Sequence, residues 1–153
     1  MPNKQRPEME IYSIGFTKKT AEQFFDILKE EKIRRLLDVR LNNISQLAGF
    51  TKREDLKYFV QEICGAEYIH EPLLAPTQEL MDSYKKEKGT WEKFAKKFLA
   101  LMVERKIEKK LDPSQFSVRT VLLCSEAQAD HCHRKLVLDY LQDKWGGLNI
   151  SHL

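Results

Sequence analysis

From Cys124 the chain reads Cys-Ser-Glu-Ala-Gln-Ala-Asp-His-Cys-His-Arg, a stretch holding two of the three cysteines and two of the four histidines. Residues of these types support several kinds of chemistry. In a ligand-binding reading, Glu126 moves a proton and Arg134 clamps a phosphate or carboxylate with two parallel donors. Ser125, Cys124, Cys132 and His133 would then line the site. In a nucleophilic reading, Asp130 caps a helix and places His131, Cys132 and His133 in its first turn. The free N–H groups and positive dipole end there favour an anion and lower the Cys132 thiol pKa. The phosphatase-like C-x5-R pattern is absent, because Arg134 follows Cys132 by only two positions. In a metal reading, the ligands are Cys124, Cys132 and either His131 or His133. The Cys-x7-Cys and His-Cys-His spacing departs from paired C-x-x-C zinc patterns, so no metal ligand is assigned from it. A packing reading leaves both cysteines in the core, as small hydrophobes, and Arg134 in an internal ion pair.

A second group of ionisable residues lies upstream. Asp38 and Arg40 flank Val39, so in a strand they share one face. They are either a carboxylate for acid–base work beside a fork for an anion, or an ion pair tying a strand end to a loop. Tyr68 and His70 bear the same relation and would orient a substrate. His70 is a proton shuttle or ligand donor, or an edge histidine already satisfied by the protein.

The elements that must position these groups follow from periodicity. Short apolar runs bounded by polar residues predict strands at Ile11–Ile14, Leu36–Val39, Tyr68–His70, Val118–Cys124 and Leu148–Ser151. Thr20 with Gln23, and Thr51 with Glu54, read as capping boxes opening helices. Thr77 opens a short helix. Gly89-Thr90 opens a longer one, which stops near Leu111 because Pro113 follows Asp112. Its stripe of Trp91, Phe94 and Phe98 reads as core and not as a stacking platform. The last helix starts after Asp130 and ends at Gly146-Gly147. Strands alternating with helices predict an α/β fold: a single three-layer domain over residues 9–153 with helices on both faces. The sheet would be mostly parallel, with about five strands. Residues 1–8 read as a disordered leader.

In such a sheet, ligands bind outside the carboxyl ends of the strands. Gly15-Phe16-Thr17, Asp38 to Asn43, His70-Glu71 and Cys124-Ser125-Glu126 all follow or end predicted strands there. The ionisable residues therefore collect at one edge.

The 153 residues suit one domain. With 42% apolar and 10% aromatic residues the bulk is not disordered. The longest apolar run, Phe98–Val103, is six residues, far short of the ~20 that span a bilayer. The charged first seven residues have no apolar segment behind them, unlike a signal peptide. A soluble cytoplasmic protein without a membrane partner is expected. The third cysteine, Cys64, ends an apolar helical run. An odd cysteine count without a secretion signal predicts reduced thiols. Net charge is +3, from 26 basic and 23 acidic residues. That is too weak a bias to mark nucleic-acid binding by itself. The lysines between 85 and 110 alternate with glutamates and read as a solvated helix face.

The set Asp38-Val39-Arg40, Ser45, Phe50, Tyr68-x-His70, Cys124-Ser125-Glu126 and Cys132-His133-Arg134 resembles the signatures of domain-of-unknown-function family 488. The resemblance runs from Ile11 to the C-terminal strand. It implies a small prokaryotic α/β protein and supports the choice of residues, without supplying a substrate. Phe16 stands where that family often has a polar or aromatic residue, frequently histidine. Asn42 and Asn43 replace a frequent proline, which leaves their amides available to a ligand.

Taken together, the sequence predicts an enzyme or ligand-binding domain. It would act on a phosphate- or ribose-bearing molecule, or a nucleic-acid base. In this reading Asp38 and Glu126 do proton work. Arg40, Tyr68, His70, Cys124, Ser125, Cys132, His133 and Arg134 hold the ligand, an anionic small molecule or nucleotide. No cofactor is called for, and the oligomeric state is open. A non-catalytic module for nucleic acid or protein is the rival, using this edge and the lysine-rich segment. A Cys/His metal site is the third reading.

Overall fold

Each strand owes its place to alternating or continuous apolar residues, and each crossover helix to a single apolar stripe. The computed structural model describes residues 9–44, 49–126 and 129–153. The expected leader at 1–8 and Ser45 lie outside the described residues. Five strands form one all-parallel sheet: β1 (Met9–Gly15), β2 (Arg35–Asp38), β3 (Glu67–His70), β4 (Thr120–Cys124) and β5 (Leu148–His152). Their spatial order is β3-β2-β4-β1-β5. The expected strands all form, with ends shifted by one or two residues.

From β1 the chain moves outward to β2 and then β3. It then reverses, inserting β4 in the middle and finishing at β5. Right-handed crossovers must therefore put the two halves' helices on opposite faces. Helices α1 (Ala21–Glu30) and α2 (Arg53–Cys64) cover one face. Their Phe24, Phe25, Leu28, Leu56 and Val60 pack on Tyr12, Ile14, Leu36, Val121 and Leu123. Helices α3 (Gln78–Lys85), α4 (Trp91–Arg105), α5 (Ile107–Lys110) and α6 (His133–Trp145) belong to the other half. Phe94, Phe98, Met102, Val137 and Leu141 there pack on Ile11, Leu37 and Leu122. The result is a three-layer α/β architecture. No helix among the described residues is long and apolar enough to cross a membrane.

The helix starts match expectation where the cap is local. Thr20 and Gln23 form the full capping box, and Thr77 and Thr90 cap α3 and α4. Three expectations are corrected. Thr51 does not cap α2. It lies in a 3-10 turn, Gly49–Thr51, and the helix starts at Arg53 after Lys52. The reason is tertiary: Arg40 Nη2 donates to the Thr51 carbonyl at 2.7 Å, drawing Thr51 into the interior. The long helix breaks at Lys106, which is left-handed at φ 53°. The break lets Ile107 and Leu111 turn into the core. Finally, Asp130 lies in a 3-10 turn, Ala129–His131, and Cys132 is the residue before α6, in extended conformation. His131 and Cys132 are therefore outside the first α-helical turn, which starts with His133 and Arg134.

Candidate functional site

The reversal of chain direction around β4 leaves a crevice at its carboxyl end, because loops on either side leave to opposite faces. Cys124 is the last residue of β4, beside Gly15 at the end of β1. A pocket of about 260 Å³ opens there. Cys124, Cys132 and His133 are on its floor side, and Glu126 and Lys85 are at its exposed rim. Trp91, Tyr84, Phe94 and His131 form an aromatic wall, with Phe16 and Met81 completing the lining.

The wall is built by the first turn of α4 against the last turn of α3. Trp91 and Phe94 stack with centroids 5.3 Å apart and planes at 22°. His131 stacks on Trp91 at 5.2 Å and 21°. Tyr84 meets both rings on the α3 side. Phe94 and Phe98 are core, as the stripe predicts, but Trp91 is only half-buried and faces the pocket. Sequence reading missed Tyr84, Trp91 and Phe94 as wall residues, and offered His131 as an alternative metal ligand and not as part of a wall. The signal was positional: a crossover helix runs antiparallel to the strands, so the start of α4 must lie beside the strand ends.

The polar residues divide between the two faces of the sheet. On the α1–α2 face, Asp38 is completely buried. It accepts from Arg40 Nε and Nη2, both at 2.8 Å, from the Arg40 backbone N–H at 3.1 Å and from the Tyr68 hydroxyl at 2.5 Å. Burial, then the facing Asp38 carboxylate, pushes the Tyr68 phenol well up from its ordinary value. Asn43 donates to the Tyr68 oxygen at 3.3 Å. His70 Nε2 lies 3.0 Å from the Arg40 carbonyl oxygen, and so donates to it. Arg40 carries its guanidinium over the Phe16 ring, 5.3 Å from the centroid, and reaches the pocket lining. Asp38, Tyr68 and His70 are not among the pocket-lining residues.

On the opposite face, Cys124 Sγ and His133 Nδ1 are 3.6 Å apart. The candidate metal atoms of Cys124, Cys132 and His133 all lie within 4.8 Å of one another, and all three residues are buried. This is the one Cys/His/Asp/Glu set among the described residues whose geometry suits an ion. His133 Nε2 is 2.7 Å from the Val39 carbonyl oxygen. A carbonyl only accepts, so Nε2 carries the proton and Nδ1 presents a lone pair to the sulfurs. The hydrogen bond from Cys132 is the main influence lowering the Cys124 thiol, with the His133 imidazole adding to it against burial. Burial, then the Cys124 sulfur, pushes Cys132 up. Burial alone would lower His133, but the Cys124 charge and the Val39 carbonyl raise it.

Arg134 starts on the same face and points inward. It is fully buried, with Nε donating to Ser13 Oγ at 3.0 Å and Nη1 to the Glu126 carbonyl. Its bonds hold the loop after β4 against β1. Ser125 lines the pocket and takes Thr17 N–H on its carbonyl at 3.0 Å. Of the ten residues singled out from sequence, the pocket thus gathers Arg40, Cys124, Ser125, Glu126, Cys132 and His133. Asp38, Tyr68, His70 and Arg134 brace the loops around it.

No curated protein and no solved structure matches the chain. The family model described as Domain of unknown function DUF488 matches residues 20–141, which span β2, β3, β4 and most of α6 and so all ten residues singled out from sequence. The chain belongs to that family.

Proposed function

We infer that the protein binds, and acts on, a small planar heterocycle of the nucleobase or nucleoside class at the carboxyl edge of its sheet. The observation that carries this reading is the aromatic wall of Trp91, stacked with Phe94 and with His131, facing a floor of sulfur and imidazole groups. A flat aromatic wall gives a ring its dispersion and stacking energy whatever the ring's substituents. Donors and acceptors at the floor then select among rings. The pocket's volume suits one ring system and part of a sugar. Lys85 at the rim supplies a cation for a ribose-borne phosphate. Glu126 at the rim supplies a carboxylate for proton transfer, whereas Asp38, Arg40 and Arg134 have their main polar atoms committed to protein partners.

The test is a melting series of wild type with free bases, nucleosides, nucleotides, ribose phosphates and inorganic phosphate. A ligand at 100 times its dissociation constant adds about 2.7 kcal/mol to native stability. One ring-bearing class is expected to raise the wild-type melting temperature, and Trp91→Ala to abolish that rise. Inorganic or ribose phosphate stabilising as well as nucleotides would overturn the ring-binding reading, as would a panel without any shift.

A further inference from the structure

We propose that Cys124, Cys132 and His133 form a three-ligand site for a single zinc-class divalent ion, its fourth coordination position facing the aromatic pocket. The reading goes beyond ring binding and does not depend on it.

Geometry is the first support. Zinc–sulfur and zinc–nitrogen bonds of the usual lengths, at tetrahedral angles, put a sulfur and a nitrogen ligand about 3.6 Å apart. Cys124 Sγ and His133 Nδ1 are 3.6 Å apart, and all three ligand atoms fall within 4.8 Å of one another. An ion between them would need only small side-chain adjustment.

The second support is the orientation of the histidine. A ligating imidazole donates its other ring N–H to a carbonyl or carboxylate, which fixes the ring and its tautomer. His133 does this with the Val39 carbonyl at 2.7 Å. Val39 belongs to the loop end of β2, so an element that supplies no ligand positions one.

Charge is the third. Two thiolates and a neutral imidazole around a divalent cation sum to zero, which a buried site tolerates far better than bare thiolates. Thiolate and imidazole donors favour zinc over magnesium or calcium.

The open position follows from the ligand count. Structural zinc sites close with four protein ligands, whereas sites with three keep a place for water or substrate. No fourth Cys, His, Asp or Glu joins the cluster among the described residues. All three ligands line the pocket, so whatever occupies the pocket meets the ion. His131, the alternative ligand in the sequence, instead stacks on Trp91.

The experiment is a titration of chelator-treated, reduced, full-length protein with cobalt(II), without any organic ligand. One equivalent is expected to bind with the intense visible bands of four-coordinate cobalt and a near-ultraviolet thiolate charge-transfer band, and zinc to displace it one for one. Cys64→Ser should keep both features. Cys132→Ser and His133→Gln should lose them, each variant first shown to be folded in its metal-free state by circular dichroism and a cooperative melt. Wild type alone keeps the proposal falsifiable if a variant misfolds. Folded protein with reduced cysteines that fails to bind cobalt or zinc stoichiometrically would overturn it. So would a six-coordinate, sulfur-free cobalt spectrum, or formation of a Cys124–Cys132 disulfide that added zinc fails to prevent. Because no heterocycle is present, failure here and failure of the ring-binding reading are scored separately.

Discussion

Asp38 and Arg40 meet through two parallel hydrogen bonds of 2.8 Å each, with the carboxylate completely buried and the guanidinium nearly so. A pair like this is worth little when both members are present, because desolvation offsets the attraction. Removing one member strands the other. Asp38→Asn is therefore expected to cost about 3–5 kcal/mol, read in urea unfolding. Wild-type stability combined with lost turnover would return Asp38 to the role of a proton carrier.

Arg134 offers a similar contrast. Its guanidinium joins Ser13 on β1 to the Glu126 carbonyl after β4, and it is fully buried. Arg134→Ala is expected to cost about 3–5 kcal/mol of stability, read as a strong fall in melting temperature. A variant that melts like wild type but no longer responds to a nucleotide would instead make Arg134 a ligand clamp.

Phe94 and Trp91 occupy one stripe but differ in burial. Phe94 is 4% exposed and packs on Phe98 and Tyr84. Phe94→Ala should cost about 3–5 kcal/mol in denaturant unfolding. Trp91→Ala should cost clearly less, since the ring is only half-buried. Equal losses would mean that Trp91 is core and that the pocket wall is not its main role.

The α3–α4 turn sets the distance between Tyr84 and Trp91. A methyl group at Gly89 would lie 2.8 Å from the Ser83 carbonyl oxygen, a backbone atom that cannot swing aside as the end of a side chain can. Gly89→Ala is expected to cost about 1–3 kcal/mol, the usual range for overpacking. It should also weaken any ligand shift, because the wall must move. An unchanged urea midpoint would show that the turn relaxes freely.

A pH effect is expected at the α5–α6 contact. Tyr140 donates to Glu108 at 2.6 Å, and this bond is the main cause holding the Glu108 carboxyl below its ordinary 4.5. A lowered carboxyl stabilises the fold above its unfolded value and loses that contribution as pH falls through the folded one. The stability gap between wild type and Tyr140→Phe should therefore narrow as the solution is acidified below 4.5. A gap that stays constant in urea melts across that range would show that the hydroxyl acts by packing alone.

The sequence by itself determined the strands, the threonine-capped helices and the α/β class. Each of these depends on neighbours within a few residues. Thr20 finds Gln23 in its own first turn, and the apolar runs of β1 and β4 need only be apolar to be buried. The polar residues at the strand ends were equally legible, since strand direction alone places Cys124 and Asp38 at the same edge. Only the tertiary structure decided what those residues do. Asp38 and Cys124 end parallel strands but face opposite sides of the sheet, so one is absorbed into an ion pair and the other meets a histidine. That histidine is His133 and not His131 because α6 starts after Cys132, and the Val39 carbonyl holds the His133 ring in place. Thr51 lost its capping role in the same way, to the demand of Arg40 for a carbonyl. The sequence offers Cys124, Cys132 and either neighbouring histidine as one metal reading, but Cys-x7-Cys matches no standard zinc pattern, because the three ligand atoms converge through a turn and a helix start whose geometry is fixed by contacts distant in sequence. Trp91 was indistinguishable from its core neighbours by periodicity, since a stripe records which face is apolar and not where the core ends.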